Sequence, residues 1–340
     1  MWYDKQQCLS YNKILNFILS NRGGGKTFDF TKWCIDDFKK NGNQAVWVRR
    51  YATELKGNGS NPGILDENAF FKGVLKEGLY ENDKLEIKDN IGYVNDKPAI
   101  FFVALSTSRS LKSINFPFVN KIIFDEFLID KGRNGYLKNE VEVFLDLYET
   151  VARLRDNVRA VFLANSVSVV NPYFTYFKIK PDPNKRFNVY PRGICVEFFT
   201  DKEFIAAKKK TRFGKLIEGT RYSDYSVENK WLNDNDTFVE PKPKNGCQFL
   251  MGLKYNGTMF GFWVNYDRGL IFVNTQYDPS FYALYTLTKE DHEPNLLLIK
   301  SLKDSSPMKM VVYAYNNSLL RFEDMEVKSI MYEVLGLFVR

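Results

Sequence analysis

The stretch FILSNRGGGKTFDFTKW, from Phe17 to Trp33, constrains the fold of this chain more than any other. The apolar run ILNFIL, Ile14 to Leu19, reads as a short buried strand, and Phe28 to Lys40 reads as a helix that Gly42 ends. Between them Gly23, Gly24 and Gly25 let the backbone turn tightly, so that several N–H groups converge on one anion. The helix N-terminus adds its partial positive charge. In a phosphate-binding loop of the form G-x-x-x-x-G-K-[ST], Lys26 would reach the β- and γ-phosphates of ATP, and the Thr27 hydroxyl would take a place on Mg²⁺. The first glycine of that pattern is here Ser20, and a glycine-rich turn before an ordinary helix would look the same. A second motif has to decide.

That motif is IIFDE, Ile122 to Glu126. Its apolar residues place a strand in a sheet, and Asp125 emerges at the strand's C-terminal end, where such sheets bind ligands. There it could hold Mg²⁺ through the ion's water shell. Hydrolysis also needs a group that orients and deprotonates water, a role open to Glu126. An adjacent Asp-Glu pair after an apolar strand, well downstream of a G-K-T loop, marks ATPases of the additional-strand catalytic-glutamate class. RAVFLANS, ending in Asn165 and Ser166, puts an amide at the tip of a further buried strand, expected beside the IIFDE strand. Asn165 there is either a γ-phosphate sensor or a simple strand-end cap. Arg153, Arg155 and Arg159 stand near the end of a long helix. Such arginines either stabilise phosphoryl transfer in a neighbouring subunit or complement the helix dipole.

The remaining pattern organises the chain. Gln44 to Tyr51 reads as a strand, and Leu85 to Ser106 as short strands joined by Asp-Asn and Asn-Asp turns. Asn120 to Leu128 and Arg159 to Val167 read as buried strands, and Asn139 to Asn157 as a helix with Val141, Phe144, Leu145, Tyr148 and Val151 on one face. Continuous apolar strands alternating with helices imply an α/β domain with a mostly parallel sheet, covered on both faces. Beyond Phe249 three strands separated by Asn-Gly and Asp-Arg-Gly turns form an antiparallel meander, and a helix from Asp324 to Phe338 follows. The expected division is an ATPase domain at 1–200, a basic connector at 201–232 and a small α+β domain at 233–340.

Composition narrows the function classes. One histidine, His292, nearly excludes histidine-based metal sites and catalytic triads. Four cysteines without a C-x-x-C spacing read as reduced thiols rather than a zinc site. No apolar run approaches the ~18–20 residues of a membrane helix, so no membrane partner is expected. The net charge of +7 favours a polyanionic partner. Five cations fall within the eight residues KKKTRFGK, namely Lys208, Lys209, Lys210, Arg212 and Lys215, in the connector. They read as a sequence-independent grip on nucleic-acid phosphates or as a solvated linker.

The segments LSYNKILNFILSNRGGGKT, VWVRRY, KIIFDEF, LANSVSVVNPYF, NKRFNVY and KTRFGKLIEGT together resemble the DNA-packaging ATPases of phi-twenty-nine-type small tailed bacteriophages. The resemblance spans nearly the whole chain and is looser after Phe249. It implies an ATP-hydrolysing homopentameric ring that docks on the portal, or connector, of a capsid precursor in the host cytoplasm and drives double-stranded DNA inward. The ring would leave before the virion matures. Whether a packaging RNA takes part stays open. Packaging motors often carry an arginine four residues before the loop lysine, where this chain has Arg22. By the same matching Lys26 and Thr27 are the phosphate and Mg²⁺ residues, Asp125 the metal aspartate and Glu126 the catalytic glutamate. Arg153 is the match to the trans-acting finger, and Tyr11 is assigned to stacking on adenine. The final domain resembles a vestigial ribonuclease-H-like domain. Asp267 in a D-R-G turn and Asp278 before Pro279 look like turn residues rather than nuclease ligands. A terminase with an active nuclease, or another ring DNA translocase or helicase, is the competing reading.

Overall fold

Alternating apolar and turn segments become strands and helices that divide into two units, Met1–Asn233 and Asp234–Arg340. The structure is a computed structural model, and it describes residues 3–57, 62–129, 135–165, 171–220, 223, 237–299 and 305–336.

The first unit is built on nine strands: β1 (Leu15–Ser20), β2 (Gln44–Arg49), β3 (Leu85–Lys88), β4 (Ile91–Val94), β5 (Lys97–Ala104), β6 (Val119–Asp125), β7 (Arg159–Asn165), β8 (Phe187–Tyr190) and β9 (Ile194–Phe199). Their order across the sheet is β3-β4-β5-β2-β6-β7-β1-β9-β8. From β5 to β9 every pairing is parallel, and the antiparallel strands β3, β4 and β8 close the two edges. The Asp-Asn and Asn-Asp turns join the edge strands as expected. Asp89, Asn90, Asn95 and Asp96 all have positive φ, which short polar side chains tolerate and tight hairpins require.

Helices cover both faces. Those of the first unit are α1 (Gln6–Ser10), α2 (Lys26–Asn41), α3 (Ala52–Leu55), α4 (Ala69–Lys76), α5 (Glu140–Ala152), α6 (Pro172–Phe177), α7 (Lys202–Lys210) and α8 (Arg212–Ile217). Strand residues alternate between faces. Phe17, Val46, Val48, Phe124 and Phe162 pack with Phe144 of α5 and Tyr173 and Phe174 of α6. Ile18, Trp47, Ile123 and Leu163 pack with Phe30, Cys34 and Ile35 of α2 and Phe71 and Val74 of α4.

Several boundaries are tighter than the sequence suggests. β6 stops at Asp125, because Glu126 takes a left-handed φ of 58° and breaks the strand. α5 stops at Ala152 for the same reason, Arg153 having a φ of 50°. Leu145 and Tyr148, expected on the buried face of α5, are only partly covered. Residues 201–220, read as part of a connector, carry α7 and α8 within the first unit. Asp201 caps α7 by accepting from the Glu203 and Phe204 N–H groups. α8 follows so closely that a Cβ on Gly214 would lie 2.0 Å from the Lys208 carbonyl oxygen.

The second unit has six strands, β10 (Gln248–Tyr255), β11 (Thr258–Asn265), β12 (Leu270–Asn274), β13 (Leu284–Thr286), β14 (Leu297–Leu298) and β15 (Leu320–Phe322), with α9 (Ser306–Asn316) and α10 (Met325–Gly336). β10, β11 and β12 form the expected meander. The sheet continues in parallel through β13 and β14 beside β10, and through β15 beside β12. These added strands have two or three residues each, too few to show a periodic pattern in the sequence. The last two residues of the helix expected to reach Phe338 lie outside the described residues.

Candidate nucleotide site

Parallel pairing brings the chemistry to one edge of the first sheet. Ser20 of β1 is in register with Asn165 of β7, and Asp125 of β6 with Leu163 of β7. The C-terminal ends of three strands therefore meet where α2 begins. Arg22, Gly23, Gly24, Gly25, Lys26, Thr27, Phe28, Asp125, Glu126, Ala164 and Asn165 line one cavity of about 300 Å³. Gly23 and Gly25 both have a φ of 87°, a conformation that a side chain would strain, and Gly25 is the N-cap of α2. The loop thus presents the first N–H groups of a sixteen-residue helix to the cavity.

Lys26 is 7% exposed. Its Nζ donates to Ser20 Oγ at 2.6 Å, to the Asn21 carbonyl at 3.4 Å and to Asn165 Oδ1 at 3.5 Å. The serine at the first-glycine position therefore holds the loop lysine, and the strand-tip amide is tied to it. Burial lowers the Lys26 pKa to about 8, against the opposing pull of Asp125 and Glu126. Burial raises the Asp125 pKa, helped by the Glu126 charge and resisted by Arg49 and Lys26.

Arg49, at the end of β2, was not among the residues singled out in the sequence. Its Nη1 lies 3.2 Å from Asp125 Oδ2 and its Nη2 3.3 Å from Glu126 Oε2. It spans both carboxylates. Arg50 turns to the opposite face and donates to the Glu126 carbonyl at 3.2 Å. Both depend on β2 lying beside β6, a neighbour relation that strand periodicity does not reveal.

The fit to a nucleotide and its metal can be judged from these donors. Asn21 is 1% exposed, and neither its Nδ2 nor its Oδ1 has a partner. A buried lysine held below its usual pKa and a buried aspartate raised above its own both call for opposite charge. Among the described residues no group of three His, Cys, Asp or Glu side chains could hold a metal. Mg²⁺ bound through Thr27, Asp125, water and phosphate oxygens needs none. The residues fit ATP with Mg²⁺.

Two expected site residues lie elsewhere. Tyr11 does not line the cavity; it is 39% exposed, with its ring 5.2 Å from that of Phe187. Arg153 is exposed at the end of α5, also outside the cavity. Its neighbours are committed to structure. Arg155 donates to the carbonyls of Phe116, Pro117, Val119 and Val151, and Arg159 to the Leu9 carbonyl and the Asn12 side-chain Oδ1. The Arg153 side chain makes no such bond among the described residues. The basic segment divides as well: Lys208 is half-buried with its Nζ 3.4 Å from the Arg22 carbonyl, whereas Lys209, Lys210, Arg212 and Lys215 are exposed.

The family described as podovirus DNA encapsidation protein (Gp16) matches residues 1–338. The chain belongs to that family. It is 38% identical to the DNA packaging protein of Bacillus phage phi29 over 334 residues, covering 98% of this chain and 97% of that protein. It is 37% identical to the corresponding protein of Bacillus phage B103 over 326 residues, covering 96% and 98%. Among solved structures it resembles a chain of the phi29 genome packaging motor assembly, with TM-score 0.78, 37% identity and 98% of each chain covered. It also resembles the crystal structure of the N-terminal domain of the phi29 packaging ATPase, with TM-score 0.52 and 39% identity, over 58% of this chain and 96% of that one.

Proposed function

We propose that this chain is the ATP-hydrolysing motor that moves double-stranded viral DNA into a preformed capsid, acting as a homopentameric ring on the portal. The observation that carries this reading is the convergence of Arg22 to Thr27, Asp125, Glu126 and Asn165 on one cavity, in a chain of the encapsidation family. The position of β7 between β1 and β6 supports the additional-strand catalytic-glutamate class.

In the working cycle the Gly23–Lys26 backbone and the Lys26 ammonium bind the β- and γ-phosphates. Thr27 and Asp125 would hold Mg²⁺, which when bound would neutralise phosphate charge. Arg49 gives up its hold on the carboxylates, and Glu126 orients the attacking water and accepts its proton. Asn165, hydrogen-bonded to Lys26, registers the γ-phosphate through the lysine. Arg22 lies on the cavity rim, where its guanidinium can meet the phosphate tail. Arg153 reaches the site of the next copy in the ring, a contribution worth about 10³–10⁵ in rate where such fingers act. Exposed Lys209, Lys210, Arg212 and Lys215 meet DNA phosphates.

For the second unit, the order β12-β11-β10-β13-β14, a meander extended in parallel, supports a ribonuclease-H-like domain. Asp278 is occupied in capping Ser280 through its N–H and hydroxyl, and Asp267 is an exposed turn residue. We read this unit as a non-cleaving domain. The test of the whole proposal is ATP turnover with and without double-stranded DNA and capsid precursors. Stimulation by both together supports the motor; turnover indifferent to both removes it.

A further inference from the structure

Glu126 stands directly after β6 with a φ of 58°, a left-handed conformation uncommon for a residue other than glycine. Its neighbour's N–H, that of Phe127, is held by the Leu163 carbonyl at 3.2 Å. The two carbonyls of the segment are held from behind by one side chain. Arg50 Nη1 donates to the Glu126 carbonyl at 3.2 Å and Nη2 to the Phe127 carbonyl at 2.5 Å. The same guanidinium is locked to Glu140, with Nε to Oε2 at 2.7 Å and Nη2 to Oε1 at 3.0 Å.

This pair lies deep in the fold. Arg50 is 3% and Glu140 2% exposed, and the fully buried Tyr173 donates its hydroxyl to Glu140 Oε1 at 3.0 Å. The Leu137 N–H donates to Glu140 Oε2 at 2.9 Å. The Phe124 and Tyr136 rings lie 5.4 and 5.1 Å from the guanidinium carbon. An ion pair so deeply buried contributes little net stability relative to apolar side chains of the same volume. Its geometry gives it another use. Arginine alone offers a rigid fork that can hold a carboxylate on one side and two carbonyls on the other.

We propose that Arg50 and Glu140 are positioning residues that fix the backbone of Glu126, and hence the pose of its carboxylate toward the attacking water. The proposal rests on the reading of Glu126 as the hydrolytic base. Arg49, the last residue of β2, contacts that carboxylate, and Arg50, the next residue, holds its backbone from the core side, so two consecutive residues grip one catalytic group at different points. Glu140 also opens α5, whose far end carries Arg153. One buried pair thus ties the base of one site to the helix that presents an arginine to the next.

The test uses Arg50→Lys in the full-length protein. Lysine keeps a charge for Glu140 but cannot also hold two carbonyls in place. The expected result is a kcat at least ~10-fold lower, with KM for ATP within about threefold of wild type. Amide exchange should quicken in a peptide spanning residues 125–129 and stay unchanged in one spanning residues 20–27. Wild-type kcat in folded Arg50→Lys overturns the proposal. So does a loss of kcat accompanied by faster exchange throughout the unit, which marks general destabilisation. Should Arg50→Lys not fold, the paired replacement Arg50→Met with Glu140→Leu is judged by the same readings, since it leaves no buried charge unpaired. Glu126→Gln runs beside them. Wild-type turnover there removes the hydrolytic reading itself; an inactive Glu126→Gln beside an active Arg50→Lys removes the positioning pair alone.

Discussion

Asp125 and Glu126 are adjacent carboxylates, and Arg49 is the cation that faces both in this structure. If Asp125 holds Mg²⁺ as proposed, the ion and Arg49 would compete for it, and the arginine would stabilise the nucleotide-free state most. Replacing Arg49 by Gln removes charge-assisted bonds worth about 1–3 kcal/mol. At about 2–4 °C per kcal/mol for a unit of this size, the nucleotide-free melting temperature should fall by several degrees. The melting temperature with Mg²⁺ and a non-hydrolysable ATP analogue should fall less. Equal losses in both states would show that Arg49 does not stand in for the metal. Lys26, Thr27, Asp125, Glu126 and Asn165 were legible in the sequence because each follows an apolar strand or a glycine loop, and a strand's C-terminal end locates its next residue. Arg49 and Arg50 were visible only as the polar end of VWVRRY. Their roles come from strand order, which brings β2 beside β6 across nearly seventy intervening residues.

At the scale of elements, α7 changes the meaning of the basic run. β9 is parallel to β1, so the chain leaves it at the edge where the phosphate loop lies, and α7 begins there. A Cβ on Gly23 would sit 3.2 Å from Phe204 Cζ of α7, and Lys208 Nζ lies 3.4 Å from the Arg22 carbonyl. Burial and the Arg22 charge both lower the Lys208 pKa. The three lysines are therefore not equally placed: one turn of the helix puts Lys208 on the loop and leaves Lys209 and Lys210 exposed. Lys208→Ala should raise KM for ATP several-fold. Lys209→Ala with Lys210→Ala should spare DNA-independent turnover and flatten the plot of log DNA affinity against log salt by roughly 0.9 for each phosphate that is no longer neutralised. An unchanged KM in the first variant would detach α7 from the nucleotide, and an unchanged slope in the second would leave these lysines as solvated charge. The sequence showed the basic run but not what it packs on, because the packing of α7 on a loop nearly two hundred residues earlier follows from sheet topology alone.

For the whole molecule, Arg153 is the residue whose proposed role needs an assembly. It is exposed at the end of α5 beside a fully exposed Leu154 and does not line its own cavity, while Arg155 anchors the turn to the loop before β6. If it serves a neighbouring site, Arg153→Ala and Glu126→Gln should each hydrolyse ATP poorly alone. Mixed rings should recover part of the activity, since some interfaces then pair an intact base with an intact arginine. No recovery in rings shown to co-assemble would return Arg153 to the role of a helix-end charge. Most of the proposal rests on Glu126 as the base that drives the ring, and Glu126→Gln tests that directly. The variant removes the proton acceptor and spares the Gly23–Thr27 loop and Asp125. ATP turnover by assembled motors, measured beside nucleotide binding, should fall by at least ~10³-fold with the affinity for MgATP within a few-fold of wild type. Turnover at the wild-type rate would contradict the hydrolytic site described for this chain.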